Sequence, residues 1–344
     1  MKLVPVSTKA RIAAAVAVVC VVALAVAGVL SSGRHGGSPK ASPSGVPRVT
    51  IPSAGGGPAV PAEGAYLGAW VTPTPLTQDG RVSAVRDFES SIGARLAITH
   101  VFKKWQDPIG TESDRAFVAG GSHLLISWAG TDTKAMASGS VDAQIVQSAK
   151  EVAALGAPVF FEPRWEMDRP NLSSVVHSGA DFIAAWDHVR AVFKAQGVTN
   201  VSWVWCPTAA GFETGVAQQY YPGDAQVDWV CADVYPETPW KSGDYEPFPQ
   251  LAKAAVAWAA QHPTKPMMIG EFGDSLDYGD RRAAWLSEAF DYIKAHPQIR
   301  AVVYFNQSDP TRNTYQQWGL TGDDPVLKVF ADAFTGGYFR GLKQ

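Results

Sequence analysis

Residues 157–168 read APVFFEPRWEMD, an apolar run that passes directly into charged and aromatic side chains. The run is short, follows a glycine and contains Pro158, which is typical of a strand buried on both faces. Alternation along a strand places Glu162, Arg164 and Glu166 on the same side. If that side faces the interior of a parallel barrel, Glu166 lies at the open carboxyl end, where such barrels carry out chemistry.

A second stretch repeats this arrangement further along the chain. Residues 265–273 read KPMMIGEFG, again an apolar strand that ends in a glutamate, Glu271. A single glutamate of this kind is usually a solvated loop residue or one half of an ion pair. Two glutamates at matching strand ends, in a chain with 12 tryptophans, predict a pair of facing carboxylates of the kind that glycoside hydrolysis requires.

The chain from residue 64 onward alternates strand-like and helix-like segments. Strands are predicted at 66–71, 94–102, 123–128, 157–161, 200–205, 227–235, 265–271 and 299–305. Helices are predicted at 82–92, 114–118, 142–155, 180–196, 249–261, 281–295 and 326–334. Eight strands with intervening helices predict a (β/α)₈ TIM barrel, an α/β fold that makes residues 64–344 a single catalytic domain. A doubly wound open sheet is the alternative, but no glycine-rich dinucleotide loop follows any strand.

The residues before 64 have the composition of an export signal and a spacer. Lys2, Lys9 and Arg11 precede an uncharged run at 12–30, so residues 1–30 are expected to be a signal peptide or an N-terminal membrane anchor. Residues 31–63 are rich in Gly, Pro and Ser and are expected to be a disordered linker. We therefore expect an extracellular domain, either secreted or anchored to the cell membrane.

Charge and composition exclude several classes of protein. The 29 Lys and Arg do not outnumber the 32 Asp and Glu, and no basic stripe interleaves with aromatic residues, which argues against nucleic-acid binding. No His, Cys and Asp cluster has the spacing of metal ligands, so neither a metal nor a cofactor is expected. We expect a monomer whose partner is a β-linked polysaccharide or oligosaccharide.

Three blocks of the chain resemble glycoside hydrolase family 26, the β-mannanase family of the large retaining (β/α)₈ clan. Residues 162–168 resemble the Arg-Pro-x-His-Glu-Met-Asn motif of that family, and residues 268–273 resemble its nucleophile strand. Residues 220–224 and 227–235 resemble a further recurring block, which is the most specific of the three. The resemblance spans residues 66–334.

The resemblance implies a retaining mechanism in which Glu166 is the acid/base and Glu271 is the nucleophile. Glu162 and Trp165 stand where the family has Arg and His, so the sugar contacts are expected to differ. A retaining enzyme holds its two carboxyls about 5 to 5.5 Å apart. We expect Glu166 to hold its proton near neutral pH, favoured by an apolar wall of Trp165 or Trp205 and by the charge of Glu271, which stays ionised.

Other side chains at strand ends are expected to bind sugar. Tyr235 is predicted to donate a hydrogen bond to the nucleophile, with a structural rim residue as the alternative. The predicted substrate-binding residues are Trp70, His100, Trp105, Trp128, Trp165, Trp205 and Tyr235. A lone histidine such as His100 is more often a satisfied core residue.

Two pairs of residues concern the barrel wall. An ion pair between Arg164 and Glu162 is predicted, because an unpaired charge inside a barrel is costly. Cys206 and Cys231 end neighbouring strands; a disulfide suits an extracellular protein, but adjacent parallel strands often give poor geometry, so both states stay open.

The sequence thus predicts a retaining endo-β-glycosidase that acts on β-1,4-mannan or a related mannose-containing glycan. A β-1,3-1,4-glucanase or β-xylanase on the same scaffold is the alternative among enzymes. A barrel that binds polysaccharide without catalysis is the alternative from another class.

Overall fold

The strands of the protein follow one another around a barrel. The computed structural model describes residues 56–236, 245–309, 311, 313, 314 and 317–342. The strands are β1 (Ala65–Val71), β2 (Ile98–Lys103), β3 (His123–Trp128), β4 (Val159–Pro163), β5 (Val201–Trp205), β6 (Trp229–Val234), β7 (Met267–Phe272), β8 (Ile299–Asn306) and the short β9 (Phe339–Arg340).

The first eight strands are all parallel and close on themselves. Each pairs with the next along the chain, and β1 pairs with both neighbours, Tyr66 opposite Ala301 of β8 and Gly68 opposite Ile98 of β2. The two-residue β9 adds to β1 outside this ring. The predicted (β/α)₈ barrel is therefore confirmed, and the open-sheet alternative is wrong.

Helices cover the outside of the barrel between successive strands. In the described part of the chain they are α1 (Gln78–Ile92), α2 (Glu112–Ala119), α3 (Thr133–Ala137), α4 (Asp142–Ala154), α5 (Ser173–Val176), α6 (Gly179–Ala195), α7 (Ala209–Thr214), α8 (Phe248–Ala259), α9 (Arg282–Ala295) and α10 (Asp324–Thr335). Local chemistry sets their ends. The Thr77 side chain caps the start of α1, and Gly93 ends it in a left-handed conformation with φ of 63°.

The core has two layers, as the alternation of strand side chains requires. One layer fills the barrel interior with Ile98, Leu125, Phe160, Val204, Cys206, Trp229, Cys231, Met268, Ala301 and Val303. The other layer lies between strands and helices and includes most of the large aromatic side chains. The interior layer supports the carboxyl ends of the strands from below, where the candidate site lies.

The barrel wall contains a disulfide between Cys206, directly after β5, and Cys231 in β6. Their Cα atoms are 4.3 Å apart and both residues are buried. This resolves the pairing that the sequence left open. The bridge lies beside β7, because a Cβ on Gly270 would be 2.6 Å from Cys231 Sγ and 2.8 Å from Cys206 Sγ.

A segment before β1 packs against the amino-terminal end of the barrel. Gly57, Pro58 and Pro61 are buried, and Val60 packs against the interior layer. Tyr66 donates a hydrogen bond from its hydroxyl to the Ala59 carbonyl at 2.9 Å. The folded region therefore starts at least as early as residue 56, within the predicted linker 31–63.

The predicted signal or anchor at 1–30, and residues 31–55 of the predicted linker, lie outside the described residues. Within the part of the chain that the structure describes, no helix has the length and apolar character to span a membrane.

Candidate active site

A cleft of about 1330 Å³ opens at the carboxyl ends of the barrel strands. Its walls come from residues at the ends of β1, β2, β4, β5, β6, β7 and β8, and both predicted catalytic glutamates line it. This is the end of the fold at which (β/α)₈ enzymes bind their substrates. Side chains that are far apart in the sequence thus lie close together around this cleft.

Glu166 reaches the cleft from a sharp turn after β4. The strand ends at Pro163, and Arg164 and Glu166 both have left-handed backbones, with φ of 56° and 50°. Backbone hydrogen bonds hold this turn, from Arg164 N to Trp128 O and from Glu166 N to Cys206 O, each 2.8 Å long. Non-glycine residues adopt this conformation rarely, and such strain gathers at functional sites.

The turn makes the predicted shared side of Glu162, Arg164 and Glu166 wrong. Only Glu162 belongs to the strand, and it points into the barrel interior, where Ser127 donates a hydrogen bond to it. Arg164 points elsewhere and donates from Nη2 to the Thr131 carbonyl at 2.8 Å. The predicted ion pair between Arg164 and Glu162 is therefore wrong as well: strand alternation does not continue past Pro163.

Glu271 lies near the end of β7 and is held by a tyrosine. The hydroxyl of Tyr235, which follows β6, donates a hydrogen bond of 2.9 Å to Glu271 Oε2. The structure thus brings Tyr235 to the position that the sequence predicted. Asp233 is the register partner of Glu271 in β6, and the β6–β7 register shifts at this point.

Burial raises the pKa of both glutamates. Desolvation is the largest cause at each: it raises the pKa of Glu166 to about 7 and that of Glu271 to about 8. The charge of Glu166 further raises the pKa of Glu271, whereas the Arg169 guanidinium lowers the pKa of Glu166. Both glutamates thus keep a proton more readily than an exposed glutamate does.

Arg169 opposes the effect of burial on the pKa of Glu166. Its Nη1 lies 2.9 Å from Glu166 Oε2, an ion pair between residues three positions apart. The expected apolar wall is only partly present, since Trp165 lines the cleft while Trp205 is buried outside the barrel. In the protein without ligand, the nearest charge to Glu166 is thus a cation.

Two more carboxyls are buried close to the pair. Glu162 and Asp233 both have pKa values raised well above the usual range, first by desolvation and then by the neighbouring acids. Burial thus favours the neutral form of each. The Glu162 carboxyl is satisfied by the Ser127 hydroxyl and not by a cation.

Aromatic rings line one arm of the cleft. Trp70, Trp165 and Tyr235, all predicted from the sequence, line it together with Phe102, Phe305 and Trp318. Trp70 stacks on its register partner Phe305 with ring centroids 4.6 Å apart, and Tyr235 packs against Trp318 at 4.9 Å. Sugar rings stack on such faces. The pairing of β1 with β8 is the signal that could have identified Phe305.

Four predicted sugar contacts do not reach the cleft. Trp128 and Trp205 are fully buried between barrel and helices, because their strand neighbours Ser127, Val204 and Cys206 point inward. Trp105 packs against Trp128 at 5.0 Å. His100 is buried in the interior 2.6 Å from Ser127 Oγ, and burial lowers its pKa to about 3, so it is neutral.

The part of the cleft lining that follows β4 and β5 includes polar side chains that sequence reasoning missed. Asp168 accepts hydrogen bonds from Thr208 N at 3.0 Å and Thr208 Oγ1 at 2.6 Å, which ties the turn after β4 to the turn after β5. Gly211 packs so closely against the Asp168 carboxyl that a Cβ there would overlap it. Asn171 and Thr214 also line this part of the cleft.

A buried arginine network anchors the aromatic arm. Arg282 Nε donates to Asp274 Oδ2 at 3.1 Å, and its Nη1 lies 2.8 Å from Asp323 Oδ2. The Tyr304 hydroxyl lies 2.7 Å from Asp274 Oδ1 and 2.8 Å from the Trp318 carbonyl. The network thus fixes the loop that presents Trp318 to the cleft.

One group of possible metal ligands lies below the cleft. Among the described residues, Glu162, Cys206 and Cys231 have ligand atoms within 4.8 Å of one another. The two sulfurs are joined in the disulfide and cannot act as thiolate ligands. This donor set does not fit a metal.

The comparisons with known proteins agree with this site. Residues 125–265 match the model of glycosyl hydrolase family 26, a range that contains Glu166 and ends before Glu271. The chain is 28% identical over 289 residues to Endoglucanase H of Acetivibrio thermocellus, an alignment that covers 80% of this chain and 31% of that protein. The chain therefore spans about a third of the length of this curated relative.

Solved structures share the fold. A family 26 β-mannanase from Bacteroides ovatus has a TM-score of 0.60 at 16% identity, covering 81% of this chain and 90% of that chain. A modular endo-β-1,4-mannanase from Cellulomonas fimi has a TM-score of 0.60 at 18% identity, covering 81% and 72%. At these identities the likeness establishes the barrel architecture.

Proposed function

We propose that the chain is a member of glycosyl hydrolase family 26, whose model matches residues 125–265, and that it is a retaining endo-β-glycosidase. Glu271 is the nucleophile and Glu166 is the acid/base. The observation that carries the proposal is the pair of buried carboxyls, one from the turn after β4 and one from β7, that line the same cleft.

The reaction proceeds in two displacements. In the first, Glu271 attacks the anomeric carbon while Glu166 gives its proton to the departing glycosidic oxygen, so one C–O bond forms as another breaks. In the second, Glu166 takes a proton from water, and the resulting hydroxide displaces Glu271. The net retention of configuration follows from two inversions.

Tyr235 supports the role of Glu271. Its hydrogen bond of 2.9 Å favours the ionised carboxylate and holds Oε2, which leaves Oε1 free to face the sugar. Glu271 Oε1 is buried and has no hydrogen-bond partner within the described residues. An oxygen without such a partner is the one that we assign to the attack.

The first candidate substrate is β-1,4-mannan or a related mannose-containing glycan. The sequence blocks at 162–168, 220–224 and 268–273 resemble those of the β-mannanase family, and proteins named as mannanases share the fold. Stacking rings on one arm of the cleft suit a neutral polysaccharide.

A β-glucan is the second candidate. The relative named as an endoglucanase is closer in sequence than the two mannanase structures. Glu162 and Trp165 also depart from the mannanase motif, and Trp165 lines the cleft beside Glu166. These differences lie where a sugar would be recognised.

A polysaccharide screen tests the function and separates the candidates. The purified protein is incubated with β-1,4-mannan, mixed-linkage β-glucan and β-xylan, reducing ends are measured, and the anomeric form of the first product is read by proton NMR. Release from mannan with a β-configured product supports the proposal. Release from glucan alone selects the second candidate, and an α-configured product overturns the retaining mechanism. No release from any polymer by folded protein overturns the enzyme and favours a binding-only barrel.

We further propose that the protein is exported, either secreted or anchored with its catalytic domain outside. The charged residues before the apolar run at 12–30 support export. The disulfide between Cys206 and Cys231 supports it as well, since such bonds persist in oxidising compartments. The monomeric state stays a prediction.

A further inference from the structure

Arg169 is the one cationic residue among the described residues that line the cleft. Its guanidinium lies 2.9 Å from Glu166 Oε2, with 50% of the Arg169 side chain and 7% of the Glu166 side chain exposed. The ion pair therefore has a buried anion at one end and a solvated cation at the other. In the described part of the chain, the guanidinium makes this one ion pair.

This ion pair opposes the chemistry proposed for Glu166. An acid catalyst must carry a proton on the oxygen that faces the leaving group. A guanidinium at hydrogen-bond distance stabilises the anion instead. The Arg169 guanidinium accordingly lowers the pKa of Glu166, against the rise that burial causes. The ion pair must therefore open before Glu166 can serve as the acid.

Among the other ionisable groups around Glu166, the charge of Asp168 on its own turn raises its pKa. Glu162 in β4, Asp233 in β6 and Glu271 in β7 also face it. Tyr235 adds a neutral hydroxyl. Removing the single cation would therefore leave Glu166 among acids in a buried site, where it takes up a proton.

The position of Arg169 lets a substrate remove it. Arg169 directly precedes the 3₁₀ turn Pro170–Leu172, and Pro170 and Asn171 line the cleft beside it. A sugar whose glycosidic oxygen accepts the proton of Glu166 must lie against the Glu166 carboxyl, which the guanidinium contacts through Oε2. Half of the arginine side chain already faces solvent, so it can swing outward without disrupting the core.

We propose that Arg169 is a substrate-displaced latch: in the free protein it holds Glu166 ionised, and the leaving-group sugar takes its place and allows Glu166 to be protonated. Glu166 takes up one proton from solvent as the guanidinium leaves, and Glu271 acts as the ionised nucleophile. Arg169 is thus a positioning residue, because it acts through the protonation of Glu166 and allows that protonation only when a sugar fills the cleft. This inference rests on the proposed function.

The pH dependence of two kinetic constants tests the latch in the full-length protein. The profile of kcat/KM reports the free enzyme and that of kcat reports the complex. For Arg169→Met we expect the alkaline limb of kcat/KM to move to higher pH by about one unit, the lower end of the effect of a neighbouring opposite charge. The kcat profile stays unchanged and KM falls. Arg169→Lys restores the wild-type limb, and Arg86→Met, at an exposed site on α1, changes neither profile.

Three results overturn the latch. Equal shifts in both profiles mean that the ion pair persists in the complex. A higher KM means that Arg169 binds the sugar. Unchanged profiles mean that the pair does not form in solution.

A substrate-free measurement separates failure of the latch from failure of the proposed function. Carbon-13 NMR of labelled glutamate follows the titration of Glu166, assigned with Glu166→Gln, in wild type and Arg169→Met. The latch requires Glu166 to titrate at higher pH in the variant, and an identical titration overturns it. Wild-type protein that hydrolyses no glycan overturns the proposed function instead, whatever this titration shows.

Discussion

Removing the charge of Glu271, the proposed nucleophile, is expected to have a large effect on turnover. Glu271→Gln keeps the size of the side chain and an oxygen for the Tyr235 hydroxyl, but it removes the nucleophilic charge. We expect turnover to fall at least about a thousandfold with no change in the circular dichroism spectrum. The exposed Glu112→Gln on α2 is the matched control. Activity above about a thousandth of wild type would count against Glu271 as the nucleophile.

The acid/base role proposed for Glu166 predicts that loss of this residue affects the hydrolysis of natural and activated substrates differently. Glu166→Ala should cripple hydrolysis of polysaccharide, whose leaving group needs protonation, but spare the first step for an activated aryl glycoside. The glycosyl-enzyme then accumulates, and added azide should restore turnover with retained configuration. The measurement is steady-state kinetics with and without azide. Equal loss on both substrates without azide rescue would count against Glu166 as the acid/base.

The buried carboxyl of Glu162 is expected to make the stability of the folded protein depend on pH. Its pKa is raised in the folded protein, so the stability that its neutral form contributes is complete below its unfolded pKa of about 4.3 and is lost as pH rises toward the folded value. Glu162→Gln cannot ionise. We expect its melting temperature, relative to wild type, to increase steadily as pH rises from about 4.5 to 9. A constant difference across this range would show that Glu162 does not titrate in it.

At the scale of elements, hydrophobic periodicity predicted the barrel well. Each strand from β1 to β8 overlaps its predicted segment, because short apolar runs between glycine and proline signals belong to strands that are buried on both faces. Strand order also placed Glu166, Glu271 and Tyr235 at one end of the barrel. These features could be predicted because they depend on short stretches of sequence and on the order of the strands.

Side-chain direction at strand ends could not be predicted in the same way. The left-handed residues Arg164 and Glu166 break the alternation after β4, and no residue type there signals it, since neither is glycine. Trp128 and Trp205 end their strands on the outer side, which depends on which alternate positions face inward. Trp318 and Arg169 lie in loops whose course follows from tertiary contacts, so the sequence offered no periodic signal for them.

The loop that carries Trp318 depends on the network of Arg282. Arg282→Met leaves the fully buried Asp274 carboxyl without its cation, and such a loss typically costs about 3 to 5 kcal/mol. We expect a lower urea midpoint, and a higher KM because Trp318 loses its anchor through Tyr304. Adding Asp274→Asn to this variant should recover part of the stability. Two fully additive losses would show that the residues are not coupled.

At the scale of the whole molecule, the disulfide restricts the unfolded chain. It closes a loop with a sequence separation of 25, and loop-closure entropy predicts a stabilisation of about 3.5 kcal/mol. The double variant Cys206→Ser with Cys231→Ser should therefore unfold at a lower urea concentration. Equilibrium unfolding under non-reducing conditions measures the difference. An unchanged midpoint would contradict a stabilising bridge.

The segment at 56–63 also determines how the protein can be attached to a surface. Gly56 and Gly57 pack beside Thr199 and Ser202, at the end of the barrel opposite the cleft. A bead or sensor chip coupled ahead of residue 56 would therefore leave the mouth of the cleft facing outward, toward the dissolved polymer. Immobilisation through this end suits a reusable reactor, because polysaccharide chains would reach the proposed catalytic carboxyls of Glu166 and Glu271 without meeting the support.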